Sequence, residues 1–239
     1  MYDRPETEAA NDRLWSLIRD ALGYGPTRLT RDGDPHWTDP GLLLSQTCSL
    51  PYRTVLKGKV TLVATPVHML DCPPGHYYSV LVARRDDDRC TLAEFNGAHL
   101  AANGRDSQSG WAAIGAEAWK ENVSFQGITI TGAHRESARA VAHGRADLAA
   151  IDAVSWQLIS RWDGFADDLV VFGQTSPAPA LPYITALGTD PDPIRQALGR
   201  AIEALTASDR ETLCISGIAQ LDPEDYFALP LHEPSCLSP

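Results

Sequence analysis

From Asn103 to Lys120 the chain reads NGRDSQSGWAAIGAEAWK, and Gly104 to Ser109 are all polar, charged or glycine. They stand between an apolar run, AHLAA, and an alanine-rich helix pattern carrying Trp111 and Trp119. Hydroxyls and an amide at a strand-to-helix corner have two uses. Their oxygens accept from the free N–H groups of the first helical turn, which is capping. Those same N–H groups, joined by the Ser hydroxyls, also form a cradle for an anion at the positive end of the helix dipole. Ser107, Gln108 and Ser109 are the candidates, and on this stretch alone both readings stand.

Other chemistry-bearing residues are spread along the chain. TGAHRES places His134 and Arg135 where a strand turns into a helix, as local hydrogen-bonders or as donors to an oxyanion. Asp152 ends the run ADLAAID, where it either caps the next helix or accepts from a hydroxyl or cationic part of a ligand. Trp156, one turn on, is core or ligand wall; Trp111 and Trp119 are assigned to packing. Gln46 and Thr47 end GLLLSQT, while Tyr2 and Asp3 precede the first helix. An enzyme needs a nucleophile or metal with an oriented partner. Cys48 and Ser109 could be cast as nucleophiles, but SQSG is not a G-x-S-x-G elbow, and the seven His are dispersed. No H-E-x-x-H or P-loop occurs. The chemistry on offer is hydrogen bonding.

These residues need a frame that brings them together. Asn11 to Leu22 has helical spacing, with Leu14, Leu17, Ile18 and Leu22 on one face and Gly23 as its stop. β-rich runs follow at Gly41–Thr47, Lys59–Val67 and Tyr77–Arg85. Strands and helices then alternate: AHLAAN and Ser109–Lys120, ITITG and Arg135–His143, Ala146–Asp152 and Val154–Trp162, then Leu169–Gly173. After a proline-rich passage come YITALG and the helix DPIRQALGRAIEAL. This alternation predicts an α/β protein with parallel sheets. Ligands of open α/β sheets sit at the carboxyl ends of strands, and Ser45–Thr47, Asn103–Ser109, Gly132–Arg135 and Asp152 fall at such ends.

The bulk numbers narrow the partners. A net charge of −11 argues against nucleic acid and against anionic membrane surfaces, so an anionic ligand must be drawn by local donors. No apolar run approaches the ~18 residues of a membrane span. MYDRPETEAANDRLW has neither a basic n-region nor an apolar h-region, so no secretory signal is expected in the chain as given. Five cysteines without a CxxC pair make a zinc site an unexpected feature. Cys48 and Cys72 lie near neighbouring strand ends, which predicts that they pair as a disulfide.

Three segments, RDSQSGWAA, GAHRESARAVAHGRADLAAIDAVSW and LSQTCSLPY, resemble the phosphate/phosphite/phosphonate substrate-binding proteins of ABC importers. The resemblance implies a two-lobe, type II periplasmic-binding-protein-like α/β fold, with a parallel-rich sheet in each lobe and a double-crossover hinge. Residues 1–81 and 174–239 would form lobe 1 and 82–173 lobe 2, with hinge strands near Ser79–Arg84 and Phe172–Thr175. It implies capture of a phosphonate or phosphate ester in an interlobe cleft, with no cofactor, metal or catalytic residue. Ser107, Gln108, Ser109 and His134 would hold the phosphonyl oxygens and Asp152 the organic end, with Gln46, Thr47, Tyr2 and Asp3 opposite. The implied partners are a small oxyanion and an ABC transporter permease, the implied compartment the periplasm, and the implied state a monomer. The family's corner commonly reads Ser-Thr-Ser-Gly, and Gln108 departs from it. The competing readings are an enzyme on the same fold, such as a pyrimidine-precursor synthase, and a cytoplasmic ligand sensor.

Overall fold

The computed structural model describes residues 2–31 and 36–236. In chain order its helices are α1 (Glu8–Leu22), α2 (Ser49–Arg53), α3 (Ala113–Glu121), α4 (His134–Ala142), α5 (Ala153–Trp162), α6 (Asp192–Ala204), α7 (Ala207–Leu213) and α8 (Pro223–Phe227). Its strands are β1 (Ser45–Gln46), β2 (Val60–His68), β3 (His76–Tyr77), β4 (Ser79–Arg84), β5 (His99–Ala102) and β6 (Gly127–Ile130). β7 (Leu148–Asp152), β8 (Leu169–Gln174), β9 (Ala178–Pro179), β10 (Tyr183–Ala186) and β11 (Ile215–Ala219) complete them. Two compact units divide the chain: unit 1 is Met1–His76 with Pro179–Ala228, and unit 2 is Tyr77–Ala178 with Leu229–Pro239.

Unit 1 is built on a sheet of order β1-β10-β2-β11, and every pairing in it is antiparallel. That departs from the expected parallel-rich sheet, because no helical crossover joins strands that are neighbours here. The apolar stripe of α1 (Leu14, Trp15, Ile18) meets that of α6 (Ile194, Leu198, Ile202) over Val63 and Ile215. Gly23 ends α1 as the sequence signals, with φ 79° and its N–H donated to the Arg19 carbonyl. A second cluster packs Tyr52 edge-on to Tyr226, whose hydroxyl donates to the Ala180 carbonyl and also bonds Thr65.

Unit 2 holds a five-stranded mixed sheet of order β6-β5-β7-β4-β8. β5 runs parallel to β6 and β7, while β4 is antiparallel to β7 and β8. β7 is buried along its whole length, as its continuous apolar run requires. Leu100, Leu148, Phe95, Ile114 and Phe125 fill the core on one side of the sheet. The strands expected at the hinge, Ser79–Arg84 and Phe172–Thr175, lie inside unit 2, β4 paired with β8. The chain leaves unit 1 after His76 and re-enters it at Pro179.

The division also differs from the expected one at the carboxyl end. Leu229 onward belongs to unit 2, so the chain crosses between units a third time. Its docking is specific: the Phe125 N–H donates to the Ser235 carbonyl at 2.9 Å, and His232 stacks on Trp119 at 4.6 Å. A Cβ at Gly115 of α3 would stand 2.2 Å from the His232 carbonyl oxygen and 2.8 Å from backbone atoms of Glu233 and Pro234. Backbone cannot swing aside as a side chain can, so Gly115→Ala is expected to displace the tail and to cost about 2 kcal/mol in urea unfolding. A variant as stable as the parent would show that the tail's docking is incidental. Cys48, Cys72, Cys90, Cys214 and Cys236 form no disulfide with one another, which corrects the expected Cys48–Cys72 pairing. The Cys72 thiol donates instead to the His76 carbonyl at 3.1 Å.

Candidate functional site

β5 delivers the chain to Asn103, and the corner that follows is not a plain helix start. Ser107 is the N-cap: its hydroxyl accepts the Gly110 N–H at 3.0 Å. The Ala112 N–H then donates five residues back to the Ser107 carbonyl at 3.1 Å. Residues Gln108–Ala112 therefore form a π-turn before α3 begins, where the sequence suggested an unbroken helix from Ser109. Such turns are recurrent at functional sites because they swing side chains out of helical register. Ser107, Gln108 and Ser109 are all buried.

The corner is tied to two other strand ends. The Ser109 hydroxyl lies 2.8 Å from His134 Nε2, the first residue of α4 beyond β6. The Ser109 carbonyl accepts from the Ser79 hydroxyl at 2.9 Å, and Ser79 pairs in register with Asp152 across β4 and β7. His134 is half-buried overall, but its Nδ1 is sealed from solvent. Burial pushes its imidazole down to about 4, against the pull of the Ala150 backbone. His134 is thus neutral near pH 7, and one Ser109–His134 hydrogen bond joins two strand ends.

Gly110 makes room for this arrangement. A Cβ there would come within 1.9 Å of Asn103 Oδ1 and 3.1 Å of His134 Cε1. The Asn103 oxygen is buried with no hydrogen-bond partner and rests on the bare glycine. Asn103, Ser79 and Gly110 were not singled out from sequence as site residues. Their only signal was position, at a strand end, at a strand start and inside the Ser-rich corner.

The remaining residues predicted for this unit divide. Asp152 is buried, and its carboxylate accepts the Ser155 N–H at 2.9 Å, so the capping role is realised at the N-terminus of α5. Trp156 is half-buried on α5. Arg135 sits next to His134, but its guanidinium pairs with the buried Asp163 carboxylate at 2.6 Å. Its charge is committed there.

In unit 1 a cavity of about 570 Å³ brings Tyr2, Asp3 and Gln46 together with His68 and Tyr183. Tyr2 sits edge-on to His68, ring centres 5.4 Å apart. His68 Nδ1 bonds the Cys214 carbonyl, and burial pushes the imidazole down to about 4. Asp3 accepts from Arg31 at 2.6 Å and from Asn11 at 2.8 Å. Gln46 donates to the Leu181 carbonyl at 3.1 Å. Thr47 is fully buried, its N–H bonded to the Pro182 carbonyl, and does not line the cavity. No cluster of metal-ligating side chains occurs among the described residues, and no helix among them is long and apolar enough to cross a membrane.

A mixed-sheet α/β unit with polar strand ends converging on a helix start is the architecture of a small-ligand binding protein. The profile of the family described as "ABC transporter, phosphonate, periplasmic substrate-binding protein" matches residues 44–226, and the chain belongs to that family. Comparison with curated proteins gives no match. Among solved structures, the binding-protein component of an ABC phosphonate transporter from Pseudomonas aeruginosa is similar, with a TM-score of 0.70 at 16% identity over 92% of this chain and 78% of that one. PhnD1 from Prochlorococcus marinus in complex with methylphosphonate gives 0.70 at 13% identity, over 91% and 90%. A chloride-bound protein from Xanthomonas citri gives 0.67 at 16% identity, over 92% and 88%. These likenesses establish the type II periplasmic-binding-protein fold.

Proposed function

We propose that the protein is the solute-binding component of an ABC importer and captures a phosphonate or phosphate ester without transforming it. The observation that carries this reading is the corner itself: Ser107, Ser109 and the π-turn amides gathered where β5 and β6 end, with His134 bonded to Ser109. Such a cluster offers several neutral donors to one oxyanion. Gln108 adds an amide to the set, Asp152 takes the organic end, and Trp156 walls it. In unit 1, Gln46, Tyr2 and Asp3 line the cavity and are proposed as ligand contacts of that unit, while the buried Thr47 is not. Work with a permease, in the periplasm and as a monomer, follows from family membership and is proposed on that ground.

Ser109 and His134 at 2.8 Å also have the spacing of a nucleophile and its base. A working triad orients its imidazole with a carboxylate, and the group that pulls on the His134 ring besides Ser109 is the Ala150 backbone. Binding is the reading the geometry favours over catalysis.

Calorimetric titration with methylphosphonate tests it. Ser109→Ala should weaken binding about 10-fold, since the bound oxygen loses a donor while keeping its desolvation cost. Ser107→Ala should do the same and also lower the melting temperature, because a lost cap costs about 1 kcal/mol. If both variants melt lower yet bind as the parent does, the corner is a cap only and the assignment fails.

A further inference from the structure

The anion corner of unit 2 has donors but almost no charge. Ser107, Ser109, Gln108 and the backbone amides are neutral, and burial keeps His134 neutral. Arg135, the cation nearest to His134 in sequence, is committed to Asp163. Asp152 adds a carboxylate, and the whole chain carries −11. An anionic ligand approaching this protein therefore needs a local positive group, and Arg105 is placed to be that group.

Arg105 lies in the loop between β5 and the π-turn, two residues before Ser107. It is exposed and has no ion-pair partner among the described residues. Its guanidinium lies over the ring of Trp111, 4.7 Å from the ring centre. Trp111 is 2% exposed and belongs to the same π-turn as Ser109, so a long, mobile side chain gains a fixed platform. A stacked guanidinium keeps its N–H edge open, and that edge matches a carboxylate or a second phosphoryl group in two parallel hydrogen bonds. No hydrogen bond links Arg105 to Ser107, Ser109 or His134, so it stands beside the corner rather than within it.

We propose that Arg105 is a specificity-determining residue that reads a second anionic group on the ligand, so that the preferred class is a phosphonate bearing a carboxylate. The assignment rests on the phosphonate reading of the corner. It is tested by titrating methylphosphonate and phosphonoacetate into the parent protein, Arg105→Gln and Arg105→Lys. Arg105→Gln should weaken phosphonoacetate about 10-fold or more and methylphosphonate no more than about 2-fold, the difference being one charge-assisted contact. Arg105→Lys should recover part of that loss, since it restores the charge without the planar fork. Equal weakening of both ligands, or of neither, overturns the role of Arg105 while leaving the phosphonate reading intact. Failure of the parent to bind either ligand overturns that reading, and this assignment falls with it.

Discussion

Gly110→Ala is expected to reduce phosphonate affinity about 100-fold while lowering stability far less. The new methyl would meet Asn103 Oδ1 at 1.9 Å and Asn103 Cγ at 2.9 Å, distances that no side-chain contact sustains. The Asn103 carboxamide must swing away from its buried seat. His134 Cε1, at 3.1 Å, must yield by a few tenths of an ångström, which pulls its ring off the 2.8 Å bond to Ser109. Two elements of the corner then move together, which is why the expected loss, about 2–3 kcal/mol, exceeds that of either serine alone. Folding suffers less, because alanine is favoured over glycine in a helix by about 0.5–1 kcal/mol and offsets part of the strain. The check is a second-site rescue. Asn103→Ala added to Gly110→Ala removes the 1.9 Å and 2.9 Å clashes, leaves the 3.1 Å approach to His134 Cε1, and should restore part of the affinity lost. If the double variant binds as poorly as Gly110→Ala, the fault lies elsewhere and the packing account of the corner is wrong.

That glycine illustrates what sequence could and could not deliver. The alternation of strands and helices in unit 2 was legible because each element has its own apolar period, and α1 and α6 showed their faces for the same reason. The SQSG corner was legible as polar residues in a tight place. Its geometry was not, since a π-turn depends on one carbonyl, that of Ser107, taking the Ala112 N–H rather than the Trp111 N–H of an α-turn, while the Gly110 N–H goes to the Ser107 hydroxyl. Arg135 looked like an anion ligand until its partner Asp163, 28 residues away, was in place. Asp3 was likewise engaged by Arg31, 28 residues on and beyond α1. Pairings at such separations leave no local mark. Nor did the tail: Ser235 and Cys236 join unit 2 beside Phe125 through backbone contacts that no side-chain pattern announces. The antiparallel pairing of unit 1 escaped for a related reason, as β10 and β11 come from beyond residue 180 to flank β2.

Mild acid should destabilise this protein, and two histidines set the window. His68 in unit 1 and His134 in unit 2 are both held down to about 4, against 6.5 for a free imidazole, because burial penalises the charged form. As pH falls below 6.5 the unfolded chain takes up protons that the folded chain refuses, so stability falls with pH and these two groups stop contributing to the loss below about 4. Above 6.5 their contribution is fully present. By linkage, a group shifted this far loses about 2 kcal/mol at pH 5. His68 should approach that figure. His134 keeps part of its surface at solvent, so about 1 kcal/mol is the fairer expectation, and about 3 kcal/mol for the pair. Carboxylates held low by arginines, such as Asp87 and Asp209, lose their share only below the ordinary carboxylate range, which leaves pH 5 to 6.5 to the histidines. Urea unfolding at pH 7 and pH 5 measures the difference. His68→Gln and His134→Gln should each be less stable at pH 7 yet lose less on acidification than the parent. A parent protein equally stable at both pH values would show that neither imidazole is held neutral. His134 would then titrate as it does in the unfolded chain, and burial would not be what keeps the corner neutral.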